Sequence, residues 1–75
     1  MARQASEKPD VLSVVALLAD KPSDGLARGQ VGTVVEALDE TTALVEFSDE
    51  QGRAYAIVPC KFSDLMTLHY VPQAA

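Results

Sequence analysis

Val31-Gly-Thr-Val-Val-Glu-Ala-Leu38, then Asp39-Glu-Thr-Thr42, then Ala43-Leu-Val-Glu-Phe-Ser48 is the stretch that decides the fold class. The first run is dense in β-branched residues, whose stiff side chains suit a pleated surface better than a helix. The polar quartet after it reads as a turn. In the next run Ala43, Val45 and Phe47 share one face, while Glu46 and Ser48 lie on the other, the period of a half-buried strand. Gly32 within the first strand signals a bulge or a close backbone approach.

Working outward, Asp49-Glu-Gln-Gly52 has the form of a hairpin loop, a type I turn closed by a glycine in the left-handed region. It leads into a fourth strand, Arg53–Val58, with Tyr55 and Ile57 on one face and Pro59 expected to end it. Upstream, Val11–Leu18 is framed by Pro9 and Pro22 and reads as the first strand. Ala19–Gln30 holds Pro22, Gly25 and Gly29 and reads as a loop, which Leu26 pins to the core. Lys61–Asp64 reads as a tight turn or one turn of 3₁₀ helix, and Leu65–Tyr70 as the last strand. Short strands at this spacing, with turn signals between them, predict an all-β fold: a small antiparallel barrel of about five strands with a short 3₁₀ turn before the last. Closure of the sheet would remove its exposed edges. The expected organisation is a flexible N-terminal segment 1–10, a barrel domain 11–70 and a C-terminal tail 71–75.

The chain has 75 residues, enough for one domain, and is 48% hydrophobic, which favours a core over disorder. A domain this short buries only about 60% of its unfolded surface, so it has room for a binding face and little for an enclosed active site. Eleven acidic against six basic residues give a net charge of −5. That weighs against gripping phosphates or an anionic membrane surface, both of which reward excess Lys and Arg. No apolar run approaches the ~18 residues of a membrane span, and the polar N-terminus lacks the apolar core of a secretory signal. One cysteine, Cys60, cannot form an internal disulfide and suits a reducing cytoplasm. With one histidine, His69, it does not make a metal site, and no cofactor motif is present.

The stretch Asp20-Lys-Pro-Ser-Asp-Gly-Leu-Ala-Arg-Gly-Gln-Val-Gly-Thr-Val-Val35, with Ala43–Phe47, the Asp49–Gly52 turn and the closing Phe62–Leu68 segment, resembles a family of small bacterial proteins known as domain of unknown function forty-nine twenty-six. The resemblance covers roughly residues 11–68. It implies an SH3-like barrel and no known catalytic activity. It also implies companionship with toxin-like proteins, and hence an immunity or antitoxin role. The Gly-x-Val-Gly-x-Val spacing from Gly29 to Val34 resembles, more weakly, the KOW motif of ribosomal and transcription proteins, whose usual basic residues are missing here.

Each candidate site has a plainer alternative. Gly25, Gly29 and Gly32 could cradle a phosphate, but the Gly-Lys-Ser/Thr of a P-loop is absent, so with Gly52 they are assigned as structural turn glycines, Gly32 letting the first strand cross closely. Cys60 and His69 could pair as nucleophile and base, but nothing supplies a third, orienting group. Tyr55, Phe62 and Tyr70 could line an SH3-type groove, yet Phe47 and Phe62 are needed for the core. The acids Asp39, Glu40, Glu46, Asp49 and Glu50 could form an acidic face, with Glu46 linking two turns at opposite ends of the sheet. Leu44, apolar among polar neighbours, is expected to be exposed and with Tyr55 completes the candidate partner-binding set.

These readings predict a small cytoplasmic protein-interaction module and not an enzyme, plausible as an immunity- or antitoxin-type inhibitor. Its expected partner is another protein, with a basic, neighbouring one suited to the charge; a second copy of the chain stays open, and a membrane does not. The alternatives are a KOW-like nucleic-acid-binding barrel and an accessory subunit of a larger enzyme.

Overall fold

The computed structural model describes residues 9–74. Five antiparallel strands, β1 (Val14–Leu17), β2 (Val31–Ala37), β3 (Thr42–Ser48), β4 (Ala54–Lys61) and β5 (Leu65–Thr67), form one sheet in the order β4-β3-β2-β1-β5. The first four strands meander, and the chain then returns through a 3₁₀ turn, Phe62–Asp64, to pair β5 with β1. This is the topology of a small SH3-like barrel. Among the described residues no ladder joins β4 to β5, so the sheet keeps two edges, a choice between open and closed barrel that the strand pattern alone does not make.

Strand pairing places residues of matching parity on one face, and the inward rows explain the core. Val15, Gly32, Phe47 and Ala56 lie in one row, and Val34, Val45 and Val58 in the next. Ala37, Ala43 and Cys60 follow. Val15, Leu17, Val34, Val45 and Phe47 are almost fully buried, with Leu26 and Phe62 sealing the ends. Each such side chain contributes about 1.5–3 kcal/mol relative to exposure. Gly32 is the counterpart of Phe47 in its row. A Cβ there would stand 2.7 Å from Val45 Cγ1 and 2.9 Å from both the Glu46 carbonyl oxygen and Phe47 Cδ1. The close approach is therefore to β3, not to the first strand.

The strand ends depart from the pattern-based boundaries for identifiable reasons. β1 begins at Val14 because Val11 and Leu12 are spent in a turn, closed by the Ser13 N–H donating to the Asp10 carbonyl at 3.0 Å, with Leu12 at φ 74°. β5 ends at Thr67, short of Tyr70, and the Leu68 N–H then donates to the Val14 carbonyl. β4 runs through Pro59 to Lys61. It can do so because it is an edge strand, where a proline nitrogen facing outward interrupts no ladder bond. The 3₁₀ turn starts at Phe62 rather than Lys61, and a further 3₁₀ turn, Pro22–Asp24, lies inside the long loop.

That loop is tied at several points. Lys21 and Leu26 exchange backbone bonds at 2.8 and 3.1 Å, and the Arg28 N–H donates to Asp20 Oδ1 at 2.8 Å. Leu26 is 4% exposed, so the loop is clamped onto the core. Of the segment 1–10, residues 1–8 lie outside the described residues, while Pro9 is buried and Asp10 serves the turn before β1. Residues 71–74 are exposed and outside any element.

Candidate functional site

The outward rows of the sheet carry the candidate binding residues. Val14, Thr33, Glu46 and Ile57 form one row. Glu36, Leu44 and Pro59 form the next, and Thr42 and Lys61 flank it. The result is an apolar strip on β3–β4 made by Leu44, Ile57 and Pro59, with Ile57 53% exposed. Leu44 itself is half-buried, not exposed, because Glu36 and Pro59 flank it on both neighbouring strands.

Tyr55 extends this strip through a bulge. Phe47 pairs with Ala56 and Ser48 with Ala54, so Tyr55 is the unpaired extra residue. Its ring spans from β4 past the end of β3 to the start of β2, where Gln30 Nε2 donates to its hydroxyl at 2.9 Å. Gln30 is held in turn, its Oε1 accepting the Ala27 N–H. Tyr55 remains 51% exposed, with its hydroxyl tied through Gln30 to the loop before β2. Neither Gln30 nor the bulge was among the expected site features, since nothing local in the sequence marks a partner 25 residues away.

The expected acidic residues do not assemble into one face. Asp39 and Glu40 lie in the β2–β3 turn, and Asp49 and Glu50 in the β3–β4 turn, at opposite ends of a seven-residue strand, about 23 Å apart. Two of them build their own turns. Asp39 Oδ1 accepts the Thr41 N–H at 2.8 Å and the Thr41 hydroxyl at 3.0 Å. These bonds hold the Asp39 carboxyl below the ordinary carboxylate range. Asp49 Oδ1 accepts the N–H groups of Gln51 and Arg53, both at 2.9 Å, and Oδ2 lies 3.7 Å from Arg53 Nε. Gly52 completes this hairpin at φ 81°, a conformation costly for any residue with a Cβ. Glu46, half-buried between Thr33 and Ile57, does not bridge the two ends.

The remaining candidates separate. Cys60 is 1% exposed inside β4, not at a strand end, and its Sγ donates to the Val58 carbonyl. Burial pushes its thiol pKa up, away from what a nucleophile needs. His69 is exposed beyond β5. Phe62 is in the core, so it does not join Tyr55 and Tyr70 in a groove. A cleft of about 260 Å³, lined by Glu40, Thr41, Lys61, Phe62 and Ser63, is smaller than the roughly 300–1,000 Å³ of a typical small-molecule pocket. Among the described residues, no group of three or more His, Cys, Asp or Glu could hold a metal ion, and no helix is long and apolar enough to cross a membrane.

The sequence matches, over residues 11–67, the family described as Domain of unknown function (DUF4926). The chain belongs to this family. The DUF4926 match spans all five strands, both 3₁₀ turns and the whole outward strip, so the strip is part of the family domain rather than an appendage to it. No curated protein and no solved structure matches the chain.

Proposed function

We propose that this DUF4926 domain works by docking another protein rather than by catalysis, and that the outward face of β3–β4 is the docking surface. The observation that carries this reading is the strip of Tyr55, Ile57 and Pro59 beside Leu44, with Tyr55 and Ile57 each about half exposed on an edge strand paired along its length to β3. Apolar side chains on a tied sheet lose little conformational freedom on binding, and aromatic anchors of this kind dominate interface energetics. The reducing cytoplasm is the compartment that a lone, buried thiol suits.

The finer role, an immunity- or antitoxin-type inhibitor of a neighbouring basic protein, draws its support from the net charge of −5, which speeds encounter with a basic target. The charge next to the strip is mixed, because Glu46 and Glu36 adjoin Ile57 and Leu44 while Arg53 and Lys61 stand at the two ends of Ala54–Cys60. Contact at the strip is thus governed by apolar burial and local charge, not by the acidic turns.

A low-salt affinity purification from the native host, comparing wild type with Ile57→Asp and with the double reversal of Asp49 and Glu50 to Lys, tests the reading. The expected result is one stoichiometric protein that Ile57→Asp loses and the turn variant retains. Loss only in the turn variant would move the surface to the acidic end. Recovery of RNA or DNA in place of protein would favour the nucleic-acid alternative.

A further inference from the structure

Among the described residues no strand pairs with the outer edge of β4, which offers backbone as well as side chains. Cys60 and Val58 pair with Ala43 and Val45, and the Phe62 N–H donates to the Thr41 carbonyl. Pro59 has no N–H, so its pairing with Leu44 uses none. This alternation turns the N–H and C=O of Ile57 and the C=O of Pro59 toward the open side of the sheet. Ala54–Cys60 contains no charged residue, while Arg53, 79% exposed with its Nε 3.7 Å from Asp49 Oδ2, and Lys61, also exposed, stand at its two ends. Such an edge is a template for an added strand, and natural edges are blunted by charges, proline, bulges or covering elements; Pro59, Lys61 and the Tyr55 bulge limit this one to the stretch around Ile57, whose N–H stays turned outward.

Resting on the docking reading above, we propose that the occupant of this edge is an extended segment of a partner protein, apolar or β-branched at its centre and acidic at both ends, added as a sixth strand beside β4. The backbone of Ile57 and Pro59 would supply the ladder bonds, Tyr55 and Ile57 the apolar contacts, and Arg53 and Lys61 the charges that set its register. A second copy of this chain fits the edge poorly. Antiparallel self-pairing centred on Ile57 would place Arg53 of each chain opposite Lys61 of the other, a like-charge pair at both ends. Pro59 withholds the donor that such pairing would use on either side of the centre.

The test uses the full chain and two synthetic peptides, Glu-Thr-Val-Thr-Val-Thr-Val-Thr-Glu, whose length matches the nine positions from Arg53 to Lys61, and its Lys-ended counterpart, with binding followed by amide chemical shifts and hydrogen exchange. The acid-ended peptide is expected to bind about tenfold more tightly or better than the Lys-ended one, and to slow exchange at the Ile57 amide. Ile57→Pro deletes the outward donor without touching the β3 ladder and should abolish binding; Ile57→Thr keeps the donor and should retain most of it. Urea unfolding of both variants establishes that each is folded. Equal affinity for the two peptides, no binding of either, or equal loss in both variants overturns the added strand. If Ile57→Pro also leaves capture of the native partner intact, the docking reading survives and only the strand-addition inference falls.

Discussion

A methyl group added at Gly32 meets the β3 backbone. Two of its three close contacts, Val45 Cγ1 and Phe47 Cδ1, belong to side chains that can shift slightly, but the Glu46 carbonyl is part of β3 itself. Gly32→Ala is therefore expected to destabilise the domain by about 1–3 kcal/mol. Gly25→Ala is the control: its Cβ meets nothing within 4 Å, so its cost comes only from φ +70°, about 1 kcal/mol. Urea unfolding of both variants checks the difference, and equal effects would show that the crowding at Gly32 relaxes freely. Cys60 gives a second prediction at this scale. Burial raises its pKa in the fold above the unfolded value, so the fold favours the neutral thiol. That contribution is complete below the unfolded pKa, about 8.5, and is lost as pH rises through the folded one. The alkaline fall in stability should be shallower in Cys60→Ala than in wild type, and a thiol reagent should label native Cys60 only as fast as the domain opens.

At the scale of elements, the turn acids act as local acceptors. Asp49→Ala removes an acceptor from two exposed N–H groups in the β3–β4 hairpin, and should lower stability by about 1 kcal/mol while leaving the strip of Tyr55 and Ile57 able to bind. Asp39 has the opposite pH sign to Cys60. Its folded pKa is depressed, first by the Thr41 N–H and then by the Thr41 hydroxyl. Its contribution is present above the unfolded pKa, about 3.9, and is lost as pH falls through the folded value. Asp39→Asn should flatten the acid limb of the pH–stability curve; an unchanged limb would assign that limb to other carboxylates. The same elements show what a sequence can reveal. The alternation in Ala43–Phe47 and the Asp49–Gly52 turn are local patterns, and both could be read directly. The passage of β4 through Pro59 could not, because a proline is harmless only on an edge, and edge position is set by the order of all five strands. For the same reason the acidic residues could be identified while their capping roles could not, and the Gln30–Tyr55 bond depends on a bulge that no local pattern marks.

For the molecule as a whole, the inward and outward faces of β3 and β4 divide stability from binding. Phe47, Val45 and Ala43 point into a hydrophobic core of nine buried residues among those described, while Leu44 and Glu46 alternate with them on the outside. A 75-residue domain has only a few kcal/mol of stability, roughly 0.05–0.15 kcal/mol per residue. Phe47→Ala, at about 3–5 kcal/mol, should therefore leave much of the chain unfolded by far-UV circular dichroism, whereas Ile57→Thr, on an exposed edge, should melt close to wild type. A ligand that binds only the folded form restores RT ln(1 + [L]/Kd), about 2.7 kcal/mol at a hundredfold excess over Kd. The acid-ended peptide at that excess should raise the Tm of the wild type and bring back part of the folded signal of Phe47→Ala, because that substitution empties the core without touching the edge. It should do neither for Ile57→Pro, whose core is intact and whose edge lacks the Ile57 N–H. Rescue of Phe47→Ala together with an unshifted Ile57→Pro would place binding on the β4 edge and folding on the opposite face of the same sheet. A Tm shift in Ile57→Pro equal to that of the wild type would show that the peptide is held elsewhere.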